Sequence, residues 1–263
     1  MSSPNQPPNN ERRPVAYLNE KFLNSPDARA LRILAEFLEP LAHFRREKVR
    51  DTVVFFGSAR LASGGHLGRF YDEARELARL LTLWSKSLAR DRNRFTVCTG
   101  GGGGIMEAAN RGAKEAGGTT IGLNIGLPHE QRTNAYITPG LSIEFRYFFM
   151  RKLWFAHLAR ALVVFPGGFG TMDELLELLT LAQTGKLARR IPILLYGPEY
   201  WNEVVNFEAL VRHGMIDADD LRLFHFADDP ASALRILQAE LENTTADDMP
   251  AIAHSRTNPI PYD

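Results

Sequence analysis

The stretch FTVCTGGGGGIM, residues 95–106, decides the fold expected of this chain. Phe95–Cys98 is a compact run of β-branched and aromatic residues that predicts a strand, and the pattern from Ile105 to Ala116 predicts a helix. The pair Gly117–Gly118 follows, and such a pair is typical of a helix end. Five consecutive glycines therefore connect the end of a strand to the beginning of a helix.

The same alternation recurs on both sides of this unit. Further strands are predicted at Thr52–Phe56, Thr119–Leu123, Ala161–Phe165 and Ile191–Leu195. Further helices are predicted at Asp27–Lys48, Leu67–Leu88, Ile143–Leu158, Thr171–Thr184, Tyr200–His213 and Pro230–Leu241. This alternation predicts an α/β fold, a Rossmann-like doubly wound and mostly parallel sheet with helices on both faces. Ligands of such sheets bind outside the carboxyl ends of the strands.

The chain of 263 residues is expected to contain a single Rossmann-like nucleotide-binding domain over residues 27–242, with an N-terminal helical extension. Residues 1–26 are predicted to be a flexible tail, because their first part is rich in Pro, Asn and Ser. Residues 243–263, with scattered Pro, Thr and Asp, are predicted to be a second tail.

Composition narrows the partners of the chain. Lysine plus arginine and aspartate plus glutamate both total 31, so no long-range field favours nucleic acid or an anionic membrane. No apolar stretch has the length of a membrane span, and the N-terminus lacks the apolar core of a signal peptide. The one cysteine, Cys98, fits a reducing compartment, and its simplest interpretation is a buried apolar side chain. A cytosolic protein is predicted.

The first glycine turn, Gly100–Gly104, indicates an anion site, because glycine lets a phosphate approach the main chain at a helix N-terminus. A tight turn with close strand–helix packing is the alternative. The phosphate-binding loop of NTPases is excluded, because Ile105 and Met106 stand where Lys and Ser/Thr are required. The dinucleotide pattern fails too, since its third glycine would be Ile105. The candidate phosphate ligands here are Gly101, Gly102, Gly103 and Gly104.

The second glycine turn, Pro166-Gly-Gly-Phe-Gly-Thr-Met-Asp-Glu174, couples an anion-binding turn to a hydroxyl and two carboxylates. Its candidate phosphate ligands are Gly167, Gly168, Gly170 and Thr171. Glu174 is predicted to lie near the mouth of the cleft. The competing interpretation is a capping box, Thr-x-x-Glu, in which Thr171 begins the helix and Glu174 caps a backbone N–H.

Cations and a hydroxyl approach the same region from other segments. Met150-Arg-Lys152 ends with two cations, of which Arg151 suits bidentate phosphate contact and Lys152 suits phosphate or solvent. Ser58 and Arg60 follow the first strand and suit phosphate or base contact.

Together, Pro166–Glu174, Met150–Lys152, the Gly100–Gly104 turn and Phe56-Gly-Ser58 closely resemble the Lonely Guy (LOG) family of cytokinin riboside 5′-monophosphate phosphoribohydrolases. The resemblance covers roughly residues 52–201, and Gly122–Glu130 and Gln183–Lys186 look like its longer bacterial branch. Such proteins have often been labelled lysine decarboxylases, a name that neither this sequence nor the family's chemistry supports.

The resemblance implies hydrolysis of the N-glycosidic bond of a purine nucleoside 5′-monophosphate, AMP or a cytokinin-type nucleotide. Arg151 and Glu174 map onto the family's catalytic arginine and glutamate, and the two glycine turns map onto its nucleotide-phosphate site. Met150 and Lys152, on either side of Arg151, are further candidate substrate- or phosphate-binding residues. No cofactor and no metal ion is implied. The resemblance also implies a homodimer or a higher homo-oligomer. A non-catalytic carrier or sensor of a phosphorylated ligand, like the related molybdenum-cofactor carriers, is the alternative.

Overall fold

A computed structural model describes residues 14–88, 93–126, 133–187 and 189–242. Seven parallel strands form one sheet, in the order β4-β3-β2-β1-β5-β6-β7. The strands are β1 Thr52–Phe56, β2 Thr96–Thr99, β3 Thr120–Ile125, β4 Ser142–Phe145, β5 Ala159–Val164, β6 Ile193–Tyr196 and β7 Phe224–Ala227. The chain runs outward from β1 to β4 and then returns to the other side of β1. The predicted Rossmann-like doubly wound class is therefore confirmed, and the strand order reverses between β1 and β5.

Helices cover both faces of this sheet. They are α1 Glu20–Leu23, α2 Arg29–Arg46, α3 Arg69–Leu88, α4 Ile105–Glu115, α5 Phe148–Leu158, α6 Phe169–Gln183, α7 Pro198–Val204, α8 Phe207–Arg212 and α9 Pro230–Glu242. One core contains side chains of α3, α4 and α9, and the other contains side chains of α2, α5, α6 and α7. The two cores lie on opposite faces of the sheet.

Strand β1 shows why both faces need helices. All five of its residues are buried, which is the pattern of a central parallel strand rather than of a sheet with one wet face. Because side chains alternate along a strand, Val53 and Phe55 join the core of α3 and α4, whereas Val54 and Phe56 join the core of α5 and α6. The hydrophobic effect thus fixes β1 in the middle of the sheet.

Apart from small shifts in the ends of elements, the structure differs from the prediction at three places. The helix predicted from Ile143 begins only at Phe148, because Ser142–Phe145 alternates exposed and buried residues and pairs with β3 as an edge strand. The single helix predicted over Tyr200–His213 is two helices, since Asn206 accepts a hydrogen bond from the Ala209 N–H and begins a new one. Strand β7 was not predicted, because it is short and only its last residue is buried.

Residues 1–13 and 243–263, which make up most of the two predicted tails, lie outside the described ranges, as do residues 127–130 of the Gly122–Glu130 motif. Within the ranges that are described, no helix combines the length and apolar character needed to cross a membrane. The domain boundaries stay predictions.

Candidate active site

The carboxyl ends of β1 and β5 lie side by side, where the strand order reverses. Ser58, just after β1, donates its backbone N–H to the carbonyl of Pro166, just after β5, over 3.0 Å. A cavity of about 680 Å³ opens at this point and has the size of a small-molecule site. Its walls are Phe56, Gly57, Ser58, Ala59, Arg60, Gly100, Met106, Arg151, Phe155, Gly168, Phe169, Gly170, Thr171, Met172 and Glu174.

Arg151 and Glu174 face each other in this cavity from two different helices. Nη2 of Arg151 on α5 lies 3.5 Å from Oε1 of Glu174 on α6, and both side chains are largely buried. The guanidinium also lies over the rings of Phe148 and Phe155, at 5.1 and 5.7 Å from their centroids. Its Nε is buried and has no hydrogen-bond partner among the described residues. A buried donor without a partner is costly, so this group is available to a ligand.

The electrostatics of the pair are dominated by burial. Burial raises the pKa of Glu174 to about 7, and the positive charges of Arg151 and Lys152 offset only part of that effect. Burial also lowers the pKa of Arg151, against the opposing influence of Glu174 and Asp173. A carboxyl group with a pKa near neutrality, in a cavity and beside a cation, is the kind of group that active sites use for proton transfer and charge stabilisation.

The capping-box interpretation of Glu174 is wrong. Helix α6 begins at Phe169 with Gly168 as its N-cap, so Thr171 is already inside the first turn and is not the capping residue. The N–H groups of Thr171 and Met172 both bond to the Gly168 carbonyl. Glu174 lies a turn further along the helix, where its carboxylate faces Arg151 and, among the described residues, caps no backbone group.

The second glycine turn has one glycine required by packing and two that face open space. A Cβ on Gly167 would collide with the side chain of Thr171, and the Gly167 carbonyl accepts a 2.8 Å hydrogen bond from the Tyr200 hydroxyl. In contrast, a Cβ on Gly168 or Gly170 would meet nothing within 4 Å. These two glycines line the cavity at the N-terminus of α6, where N–H groups and the helix dipole favour an anion.

The first glycine turn contributes less to the cavity than predicted. Only Gly100 lines it, and Gly101, Gly102, Gly103 and Gly104 do not. Gly101 and Gly104 have positive φ of 76° and 63°, and a Cβ there would collide with Asn124 and with the Ser58 carbonyl. That carbonyl also accepts the N–H of Ile105, the first residue of α4. Packing therefore accounts for these two glycines, and a role for the Gly101–Gly104 turn in phosphate binding stays a prediction.

The remaining predicted ligands divide into two groups. Ser58 and Arg60 line the cavity, with the Arg60 N–H bonded to the Ser58 hydroxyl oxygen at 3.1 Å. Met150 is buried and does not reach the cavity. Lys152 is outside the wall as well, because its ammonium pairs with two carboxylates of α6, at 2.8 Å from Asp173 and 2.6 Å from Glu177. Lys152 thus connects α5 to α6 rather than facing the cavity.

Sequence reasoning missed the apolar walls. Phe56, Met106, Phe155 and Met172 complete the lining, with the ring of Phe169 at the rim and 94% exposed. A signal existed for Phe155, since it follows Arg151 by four residues and therefore shares its helix face. The apolar walls give the cavity a region for a flat ring system beside its polar, anion-favouring end.

The fold and the cavity define a Rossmann-like α/β protein with a ligand site at its topological switch point. The chain belongs to the family described as "Possible lysine decarboxylase", whose model matches residues 106–237 and which includes the LOG proteins. It is 30% identical over 191 residues to the probable cytokinin riboside 5′-monophosphate phosphoribohydrolase LOG4 of Oryza sativa subsp. japonica, covering 72% of this chain and 76% of that protein.

The X-ray structure of TM1055 supports the fold. The X-ray structure of TM1055 covers 72% of this chain and 99% of its own, with a TM-score of 0.50 and 24% identity. The Moco carrier protein of Chlamydomonas reinhardtii covers 74% of this chain and 100% of its own at 26% identity. Its TM-score of 0.47 is too low to carry an argument about function.

Proposed function

We propose that this chain hydrolyses the N-glycosidic bond of a purine nucleoside 5′-monophosphate, AMP or a cytokinin-type nucleotide, to the free base and ribose 5-phosphate. The observation that carries the proposal is the Arg151–Glu174 pair, 3.5 Å apart, in a cavity that the glycine-rich N-terminus of α6 also lines. The printed activity of the rice relative supports the same chemistry.

The 5′-phosphate would bind at the N-terminus of α6. Gly168 and Gly170 leave room for it, and Thr171, Ser58 and Arg60 line the same cavity with hydroxyl and guanidinium donors. Binding energy from the phosphate would then align the ribose with Glu174, although no bond to phosphorus changes. A nucleoside without its phosphate is therefore a poor substrate in this scheme.

Glu174 would act on the reacting carbon. Breaking the bond between C1′ and the base nitrogen leaves positive charge on the ribose, by analogy with glycoside hydrolysis. The Glu174 carboxylate stabilises that charge and orients or deprotonates the attacking water, whose oxygen joins C1′. Arg151 holds the nucleotide and stabilises the negative charge on the base, which leaves with the electron pair of the broken bond. The departing base ends protonated. These roles need no cofactor and no metal ion.

The active protein is proposed to be a homodimer or a higher homo-oligomer in the cytoplasm. Helices α5 and α6 carry large apolar side chains on their outer surfaces, since Phe149 is 49%, Leu153 42% and Leu176 49% exposed. Helices that are apolar on more than one side are normally covered, and a second copy of the chain would cover these.

The decisive experiment incubates the purified protein with AMP and separates the products by chromatography. Release of adenine and ribose 5-phosphate is expected, with much slower release from adenosine. The Glu174→Gln variant is the matched control for contaminating hydrolases. If AMP binds in calorimetry and no adenine appears from AMP or from a prenylated AMP, the protein is a carrier or sensor and the hydrolase proposal is overturned.

A further inference from the structure

Helix α2 carries an apolar stripe that nothing in the described structure covers. Ile33, Phe37 and Phe44 of this helix pack on the body of the protein. Leu31, Leu34 and Leu38 point elsewhere and are 49%, 52% and 50% exposed. Three half-exposed leucines in a row on one helix form a contiguous apolar surface, which is typical of an interaction site.

The spacing of this stripe is that of a coiled-coil seam. Within α2, the positions Leu31, Leu34, Leu38, Leu41 and Arg45 alternate at three and four residues, and Leu41 also packs partly on the body of the protein. Asp27, four residues before Leu31, lies in the 3-10 turn Pro26–Ala28 that leads into the helix. That alternation places the side chains on a narrow line facing a partner helix. The small, exposed residues Ala30, Ala35 and Ala42 flank the line and allow close approach.

The two ends of the seam have opposite charge. Asp27 precedes the first leucine and Arg45 follows Leu41, both are exposed, and neither side chain makes an ion pair with any residue in the described part of the chain. If two copies of α2 lie antiparallel, Asp27 of each meets Arg45 of the other, and Leu34 meets Leu38. In a parallel pair, Asp27 would face Asp27 and Arg45 would face Arg45, which is repulsive.

We propose that α2 is an interface between two copies of this chain, in which the Leu31–Leu34–Leu38 stripes pack antiparallel around a two-fold axis near Glu36. The order of charged and apolar residues along the surface is self-complementary, which is the requirement for a two-fold interface. It lies outside residues 106–237 that match the family model, so it is a property of the N-terminal extension of this chain. The α2 interface gives the proposed homo-oligomer a defined contact between subunits. This contact does not depend on the proposed activity.

Mass measurement on the full chain tests the interface. Light scattering after gel filtration is expected to give at least two copies for the unchanged protein and a smaller assembly for Leu34→Glu. Asp27→Arg and Arg45→Asp should each weaken association, and the double charge reversal should restore it. Far-UV circular dichroism checks that each variant is folded. A monomeric unchanged protein, or a Leu34→Glu variant with an unaltered mass, overturns the proposal.

Cysteine crosslinking tests the antiparallel register separately. The one native cysteine, Cys98, is buried, so an engineered cysteine reports alone. Ala35 lies one residue from the proposed axis, so its two copies are offset by about 3 Å along the helices, whereas the two copies of Ala30 are offset by roughly 18 Å. Ala35→Cys should form an oxidised dimer and Ala30→Cys should not. Dimers from both variants would indicate a parallel pair, and dimers from neither would remove the interface.

Discussion

Arg151 and Glu174 approach to 3.5 Å across two helices, a separation at the outer limit of a hydrogen bond. The Arg151 side chain is not saturated by protein partners, since its Nε has none among the described residues. A ligand in the cavity can therefore contact these side chains and replace part of the interaction between them.

Glu174→Gln should remove turnover while retaining AMP binding. The amide keeps the size of the carboxyl group, but it carries no negative charge to stabilise a cationic ribose and accepts no proton from water. The expected loss in kcat is about 10²–10⁴-fold, the usual contribution of a general acid or base. Stopped-time chromatography gives kcat, and calorimetry with AMP gives the affinity. A variant that retains full activity would remove Glu174 from the mechanism.

The pH dependence of kcat/KM for AMP should rise through about pH 7 and then level off. The carboxylate is the active form, and the pKa of Glu174 in the free protein is raised to about 7 by burial. The second ionisation of a phosphate monoester, with a pKa of about 6, also falls in this range. Lys152→Met distinguishes the two groups, because removal of this cation raises the pKa of Glu174 further and leaves the substrate unchanged.

The Lys152→Met variant is therefore expected to shift the rising limb to higher pH. Lys114→Met, on the exposed surface of α4, is the control variant and should leave the profile in place. Rate measurements between pH 5 and 9 check both. If the rise of kcat/KM stays at the same pH in Lys152→Met, the rise belongs to ionisation of the substrate phosphate and not to Glu174.

Glu174 should also make folding stability depend on pH. Its pKa is higher in the folded chain than the ordinary value of 4.5, so the folded state holds the proton more tightly. The associated stability is fully present below about pH 4.5 and is lost as the pH rises through about 7. A shift of this size corresponds to on the order of 3 kcal/mol.

Denaturant unfolding of the unchanged protein and Glu174→Gln at pH 5 and pH 8 measures this effect. The variant also loses the partner of Arg151, which changes its free energy of unfolding at every pH. The informative quantity is therefore how the difference in free energy of unfolding between the two proteins changes from pH 5 to pH 8. The free energy of unfolding of the unchanged protein should fall relative to that of Glu174→Gln as the pH rises. A difference that is the same at both pH values would contradict the raised pKa.

The two kinds of glycine in the second turn should respond oppositely to alanine. Gly167→Ala puts a methyl group into the Thr171 side chain and should cost about 1–3 kcal/mol of stability. Gly170→Ala meets no protein atom within 4 Å and lies in a helix, so stability should hold or increase by up to about 1 kcal/mol. Its methyl group occupies the proposed phosphate space, and KM for AMP should rise about tenfold, ~1.4 kcal/mol. An unchanged KM would place the phosphate elsewhere.

The sequence was most informative where burial and local pattern agree. Strand β1 was predicted with its observed bounds, Thr52–Phe56, because an all-apolar run ending at a glycine has few alternatives in an α/β chain. The pairing of Arg151 with Glu174 was implied by the family resemblance, and the structure places both in one cavity. The capping-box alternative failed because Thr-x-x-Glu describes spacing only, and the N-cap of the helix is Gly168 rather than Thr171.

Other features depend on contacts between distant segments and had no local signal. The pairing of Lys152 with Asp173 and Glu177 requires α5 and α6 to be adjacent, which spacing along the chain does not reveal. Likewise, the need for glycine at Gly101 and Gly104 comes from Asn124 and from the Ser58 carbonyl, each on another strand or loop. A run of glycines therefore predicts that another group approaches the main chain closely. Only the fold shows whether that group belongs to the protein or to a ligand.

The proposed catalytic pair lies on one continuous segment, α5–β5–α6, whereas other walls of the cavity come from the loops after β1 and β2. Mutation or insertion in those loops can reshape the room for the base without moving Arg151 or Glu174 relative to each other. In evolutionary terms, the proposed bond-breaking machinery and the choice of substrate are separable. Such a division lets duplicated copies of the gene diverge in specificity while inheriting the same chemistry.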